Sequence, residues 1–405
     1  MDRARLCPRD RLFVVGRRGG PPSRHREARR VDAAGVSVST SPDSRKRHSR
    51  GRNGDHRLFY AFYLAAQFSG AGIVLQQTFG IEPRLGVAIG AVIIILYTML
   101  GGFLAVAWTD LVQAILMVAT LIVLPIVAGV QLVSRDPSAL EAVSASSLSW
   151  TGGATGVAAV AAIVSGLSWG FGYTGQPHTI TRFMAIDRPE AIRVGRFVAM
   201  VWAIPAFAGA MAIGLIGARL YSVEAIPSAE SPDVQQLMPF MAMELLPDWL
   251  AGIFISGAVA AMMSTADSQL LVGTSAVVED TLHKGFGLSL SDRQWMWLSR
   301  GTTLALGTFG YILASTSSDL IFQLVSYAWS GLGASFGPAV LFTLHWKRTT
   351  GAGVLAGMVV GALVTVGWEM LPINELLHAR LVSFVLACVT IVVVSTRSAK
   401  DSRQA

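Results

Sequence analysis

The sequence predicts an all-α protein that crosses a lipid bilayer many times. Three observations carry that expectation. Hydrophobic residues make up 52% of the 405-residue chain and charged residues 14%, against about 25% charged in an ordinary soluble domain. From Leu58 onward the chain runs as long apolar stretches divided by short breaks such as Arg135-Asp136-Pro137; Pro and Asp are breakers of this kind. No stretch shows the alternation of polar and apolar residues over ~10 positions that a closed barrel strand needs. Together these exclude a soluble globular enzyme. The two cysteines, Cys7 and Cys388, exclude a disulfide framework and a thiolate zinc cluster.

Charge divides the chain. Residues 1–57 hold 16 of the 32 Lys+Arg and 6 of the 25 Asp+Glu, and the remainder carries a net charge of −3. The basic balance therefore belongs to the N-terminal segment, and no nucleic-acid partner is expected for the whole. That segment lacks the apolar core of a secretory signal and is too poor in apolar residues to offset the entropy of folding. Three readings stay open for it. One is a polybasic arm for anionic surfaces, and one is a disordered cytoplasmic tail. The third is a segment foreign to the native protein, which its 15 Arg against one Lys motivate. The organisation expected is a tail over 1–57, a transmembrane domain over 58–395 and a cytoplasmic tail over 396–405.

Crossing ~30 Å of hydrocarbon takes ~20 helical residues. Ten segments meet that length: 58–79, 85–107, 109–133, 154–177, 196–220, 249–275, 296–315, 319–344, 351–371 and 379–395. Bases cluster in alternate connections. Arg182, Arg188, Arg193 and Arg196 follow the fourth segment, Lys284 and Arg293 the sixth, Lys347 and Arg348 the eighth, and Arg397, Lys400 and Arg403 the tenth. Residues 221–248 hold no Lys or Arg but carry Glu224, Glu230, Asp233, Glu244 and Asp248. Basic loops stay on the cytoplasmic side, so both termini are expected in the cytoplasm and the protein in the plasma membrane.

Polar and irregular positions inside these segments point to function. Trp169-Gly-Phe-Gly-Tyr173-Thr-Gly-Gln-Pro177 packs three Gly and a Pro into nine residues. Backbone freed at membrane depth must face protein or a cavity, and transporter helices break this way around a bound solute or ion. A Gly-rich packing helix with interfacial aromatics fits the same residues equally well. In the sixth segment Ala261, Ser264 and Thr265 share a face at i, i+3 and i+4. Two hydroxyls and a carbonyl are hard oxygen donors of the kind that hold hard cations; the alternative is plain back-bonding of the hydroxyls to the preceding turn. Asp267 is a carboxylate within an apolar segment, where charge is costly and commonly functional. It is read either as part of an inner gate or as a hydrogen-bonded structural residue.

Taken together, these stretches resemble the sodium/solute symporter family, and within it the sodium/proline branch. The resemblance lies in Leu100-Gly-Gly-Phe-Leu-Ala-Val-Ala-Trp-Thr-Asp110, in Trp169 to His178 with Arg182-Phe-Met-Ala185, in Met263-Ser-Thr-Ala-Asp-Ser-Gln-Leu-Leu271, and in Val325-Ser-Tyr-Ala-Trp-Ser-Gly-Leu-Gly-Ala334 with Phe336-Gly-Pro338. It implies a leucine-transporter-like inverted-repeat fold lacking its first two core helices, since the family's first three helices have no counterpart here. It implies Na+-coupled symport of proline and no enzymatic activity. The substrate residues it implies are Tyr63, Trp169, Tyr173 and Pro177. Na+ would be held by the Ala261 carbonyl and the Ser264 and Thr265 hydroxyls, with Asp267 as a gate. Other small amino acids or organic solutes are the alternative cargo. An inactive remnant is the other alternative: with only part of the ion's oxygen shell matched, this chain by itself is expected not to accumulate proline.

Overall fold

The computed structural model describes residues 55–137, 149–226, 234–317, 320–371 and 377–404. The described residues form α1 (Asp55–Phe79), α2 (Pro83–Arg135), α3 (Gly156–Leu167), α4 (Trp169–Tyr173), α5 (Pro177–Met184), α6 (Pro189–Leu220), α7 (Leu237–Leu245), α8 (Asp248–Ser275), α9 (Asp292–Thr316), α10 (Ile321–His345), α11 (Gly351–Glu369) and α12 (Ala379–Gln404). Short 3₁₀ turns precede α7, and α8 continues as a π-helix over Ala276–Gly285. The readings of the N-terminal tail fall outside the described residues except at its last three positions, which already belong to α1. The expected tail over 396–405 is helical to Gln404, as the end of α12.

Ten spans in a leucine-transporter-like arrangement is an expectation that the structure corrects. Among the described residues six helices are long and apolar enough to cross a membrane: Pro83–Arg135, Gly156–Tyr173, Pro189–Leu220, Asp248–Gly285, Gly351–Glu369 and Ala379–Ser398. The reasons are physical. Segments 85–107 and 109–133 are one helical run, bent at Gly102 rather than ended at residue 108. Gly102 has φ 63° and ψ −177°, a left-handed φ that costs glycine little and other residues more. Segments 58–79, 296–315 and 319–344 are helices, but too polar for that count. α1 carries Gln67, Gln76 and Gln77, α9 carries Ser299, Arg300, Thr302 and Thr303, and α10 carries Gln323, Ser326, Ser330 and Ser335. α1 and α10 are largely buried against other helices, and a helix covered by protein has no need of a continuous apolar surface.

α1 and α8 organise the interior. Phe59, Tyr60 and Tyr63 of α1 and Val272 of α8 join Trp329, Leu332 and Phe336 of α10 and Met358 of α11 in one cluster. Leu64 and Phe68 of α1 meet Ile94 and Ile95 of α2 and Leu270 of α8 in a second. Val74 of α1 meets Leu124 of α2, Ile213 of α6, Met241 of α7 and Phe254 of α8 in a third. Apolar contact alone gains little where lipid offers the same surroundings, so close approach and buried hydrogen bonds carry much of the association. Thr120 of α2 donates to the Phe254 carbonyl of α8 at 3.2 Å, and Trp202 of α6 to the Ala114 carbonyl of α2 at 2.9 Å.

The α2–α6 crossing generates a test. A Cβ on Gly209 would lie 1.7 Å from the Leu121 carbonyl oxygen, whereas Gly214 on the same helix faces open space. Gly209→Ala should cost about 1–3 kcal/mol, as overpacking of a tight interior does. Gly214→Ala should be neutral or slightly stabilising. Thermal unfolding of the two variants in detergent checks this, and equal melting points would contradict it.

Candidate functional site

The site is built around the interruption between α3 and α5. Ser168 joins α3 to α4, and Gln176 precedes Pro177, whose missing N–H suits the first position of α5,. Carbonyls in and around the break accept side-chain donors. The Gln176 amide nitrogen donates to the Gly172 carbonyl at 3.2 Å, and the Thr174 hydroxyl to the Phe171 carbonyl at 2.8 Å. The indole N–H of Trp329, from α10, donates to the Trp169 carbonyl at 3.2 Å. Trp329 sits against the backbone of α4, where a Cβ on Gly172 would lie 1.9 Å from its indole nitrogen.

The predicted substrate residues are brought together by that same tryptophan. Its ring lies 6.2 Å from Tyr63, 5.8 Å from Trp169 and 4.8 Å from Tyr173. The contacts with Tyr63 and Tyr173 are edge-on, a favoured aromatic geometry. Tyr63 is buried and Tyr173 half-exposed. Pro177 is buried at the start of α5. It sets the helix start and makes none of these ring contacts.

On α8 the three predicted ion ligands also converge. The Ser264 and Thr265 hydroxyls each donate to the Ala261 carbonyl at 3.1 Å. This is the back-bonded geometry that Ser and Thr adopt in spanning helices, and it gathers three hard oxygens at one point on the helix. Asp267 lies one turn on and is fully buried. One of its oxygens is 3.2 Å from the Ser268 hydroxyl, and the other has no hydrogen-bond partner among the described residues.

Several residues in this region went unassigned in the sequence. Arg182 of α5 pairs with Asp110 of α2 and donates to the Ser268 hydroxyl at 2.7 Å. Ser268 also lies 2.8 Å from the Ser264 carbonyl. Gln269 of α8 is 3.2 Å from His178 Nδ1, and the His178 ring packs edge-on against Tyr63 at 6.3 Å. His178 lies between spans, and burial, reinforced by the Arg182 charge, pushes its pKa down to about 3. It is therefore neutral at physiological pH, and Nδ1 is free to accept from Gln269. Asp110, His178, Arg182 and Trp329 all stood inside quoted motifs, but nothing in their spacing revealed that they meet. The polar network links α2, α5 and α8, and His178 connects it to the aromatic group.

Comparison with known proteins decides the family. The model of the Sodium:solute symporter family matches residues 56–361. The chain belongs to that family. Among its relatives, the Sodium/proline symporter of Escherichia coli (strain K12) is 38% identical over 314 residues, covering 77% of this chain and 62% of the relative. The High-affinity proline transporter PutP of Bacillus subtilis (strain 168) is 36% identical over 348 residues, covering 84% of this chain and 70% of the relative. This chain thus spans about three-fifths of the length of the Escherichia coli protein it matches. Its fold is similar to a solved Na+-coupled sialic acid symporter in a substrate-bound outward-open state. That likeness has a TM-score of 0.62 at 18% identity, over 84% of this chain and 72% of the other. The family is one of transporters, not enzymes.

The α2–α5–α8 network yields a second test. Removing one partner of a hydrogen-bonded charge pair costs more than removing both, so Asp110→Asn and Arg182→Gln should be non-additive. A double-mutant cycle on thermal stability should give a coupling of about 0.5–3 kcal/mol. Additive effects would contradict the pairing.

Proposed function

We propose that the chain carries the ion and cargo groups of Na+-coupled proline symport across the plasma membrane, with Na+ as coupling ion and proline as cargo. The observation that supports this reading is the chain of contacts from Gln269 of α8 through His178 to Tyr63, which joins the helix of the oxygen group to the aromatic group. An aromatic group of Tyr63, Trp169, Tyr173 and Trp329 stands beside the broken span. An oxygen group of Ala261, Ser264 and Thr265 stands on α8. Aromatic walls suit a compact apolar ring with charged ends, and backbone and hydroxyl oxygens suit a hard monovalent cation by the logic that governs other hard cations. The proline-transporting names of relatives at 36–38% identity favour proline over other small solutes.

In this reading Tyr63, Trp169 and Tyr173 line the cargo site and Pro177 fixes the helix start beside it. Na+ replaces its water with the Ala261 carbonyl and the two hydroxyls, which turn from back-bonding to the ion. Asp267, buried one turn away, gates the ion's inward path. The ion and cargo groups communicate through Gln269, His178 and Tyr63. The acidic start of α8 at Asp248 faces outward. Lys284, Lys347, Arg348 and Arg397 face the cytoplasm, as basic flanks do.

Three outcomes are expected. In the Escherichia coli relative, changes at the positions matching Ser264→Ala and Thr265→Ala should shift the Na+ activation curve to higher concentration by at least roughly tenfold, since one lost ligand to a desolvated cation is not made good by its neighbours. Changes matching Trp169→Ala and Tyr173→Ala should instead raise KM for proline and leave Na+ activation in place. An unaltered Na+ curve in the hydroxyl variants would refute the ion assignment. For orientation, a membrane-impermeant thiol reagent applied to intact cells should label a cysteine placed at Asp248 and spare one at Lys284; the reverse pattern would invert the topology.

A further inference from the structure

α12 carries a buried cation that the transport reading leaves unused. Arg380 is the second residue of the helix and only 4% exposed. Its Nε donates to the Ser168 hydroxyl at 2.9 Å and to the Ser165 carbonyl at 3.4 Å. Its Nη1 donates to the Ser326 hydroxyl of α10 at 2.8 Å. The guanidinium carbon stands 4.4 Å from the centroid of the Trp169 ring. The preceding turn reinforces the attachment, with the His378 N–H donating to the Ser165 hydroxyl at 3.3 Å.

A buried charge in a spanning helix is costly, and is kept where it does work for the protein. Here one planar group bonds the joint between α3 and α4 and the N-terminal part of α10 while it lies on the indole between them. Trp169 is thereby enclosed on three sides, by Arg380, by Trp329 at 5.8 Å and by Phe322 at 5.8 Å. A lysine in the same place would keep the charge but lose both the flat face and the fork of donors that reaches the two serines together.

We propose that Arg380 is a positioning residue for Trp169, and that α12 through this one side chain sets the affinity of the cargo site. The proposal rests on the assignment of Trp169 to that site. Its direct consequence is local: without the guanidinium the indole leaves its pose against α10, while the rest of the pocket and the ion group stay in place.

The test uses the full 405-residue chain, purified in detergent, as wild type, Arg380→Lys, Trp169→Phe and the double variant. The emission of Trp169 among the 10 tryptophans is isolated as the difference between each protein and its Trp169→Phe partner. Arg380→Lys should increase acrylamide quenching of that difference signal. It should also weaken equilibrium binding of labelled proline by roughly tenfold, because an ammonium keeps the charge but cannot hold both serines while lying flat on the indole, with Na+ dependence of binding retained. In the Trp169→Phe background the same change should alter binding much less. Unchanged quenching overturns the proposal, as does an equal loss of binding in both backgrounds, since Arg380 would then act independently of Trp169. If the wild type binds no proline, the cargo assignment fails while quenching alone decides the positioning claim. Should Arg380→Lys fail to fold, Ser326→Ala removes one anchor of the fork and keeps the arginine. It should shift quenching in the same direction by a smaller amount, and no shift would overturn the proposal.

Discussion

The arrangement depends on covering a stretch of interrupted backbone inside a membrane. The helical ladder is interrupted at Ser168 and again between Thr174 and Gln176, and polar groups freed inside a bilayer would find no water to satisfy them. The chain resolves this with its own side chains, Gln176 and Thr174, and with one residue from another helix, Trp329. Trp329 reaches the Trp169 carbonyl because α4 offers glycine where its ring passes. α10 in turn comes close enough for a Cβ on Gly333 to lie 2.6 Å from the Gly172 Cα. The same contact that satisfies the backbone therefore places the ring around which Tyr63, Trp169 and Tyr173 gather. Structural necessity and the proposed cargo site share one side chain.

A second consequence concerns α1 and α8. Both take part in all three interior clusters, so side chains on them are held by packing on several sides. α8 presents the Ala261, Ser264 and Thr265 oxygens and then Asp267 and Ser268 a turn on, and Arg182 of α5 reaches Ser268 from the far side of the break. Movement of α5 relative to α8 would strain this network and the Gln269–His178 contact together. That is a physical route by which an ion on α8 would alter an aromatic site beside the break.

Much of this was legible in the sequence. The helical membrane class followed from composition and segment length, and the interruption at Trp169–Pro177 followed from its Gly and Pro density. The grouping of Ala261, Ser264 and Thr265 followed from helical spacing alone. The span count went astray because length was weighed over polarity, and length cannot tell a helix facing lipid from one sheathed in protein. α1 and α10 are helices of the second kind, and the single residue Gly102 bends a run that looked like two. Trp329 was also hidden. Its role comes from the glycine opposite it, and close approach between helices leaves no mark in either sequence taken by itself. Arg380 looked like an ordinary basic residue flanking a span; only the fold shows three serines and an indole converging on it.

The central claim is that one chain holds an ion group and a cargo group that respond to each other. Equilibrium binding of labelled proline to the purified chain, titrated in Na+ and in K+ at equal ionic strength, tests it most directly. The account predicts saturable binding that tightens as Na+ replaces K+, with the gain abolished in the Ser264→Ala, Thr265→Ala double variant. Binding that is saturable but indifferent to the cation, or a Na+ effect that survives in the double variant, would contradict it.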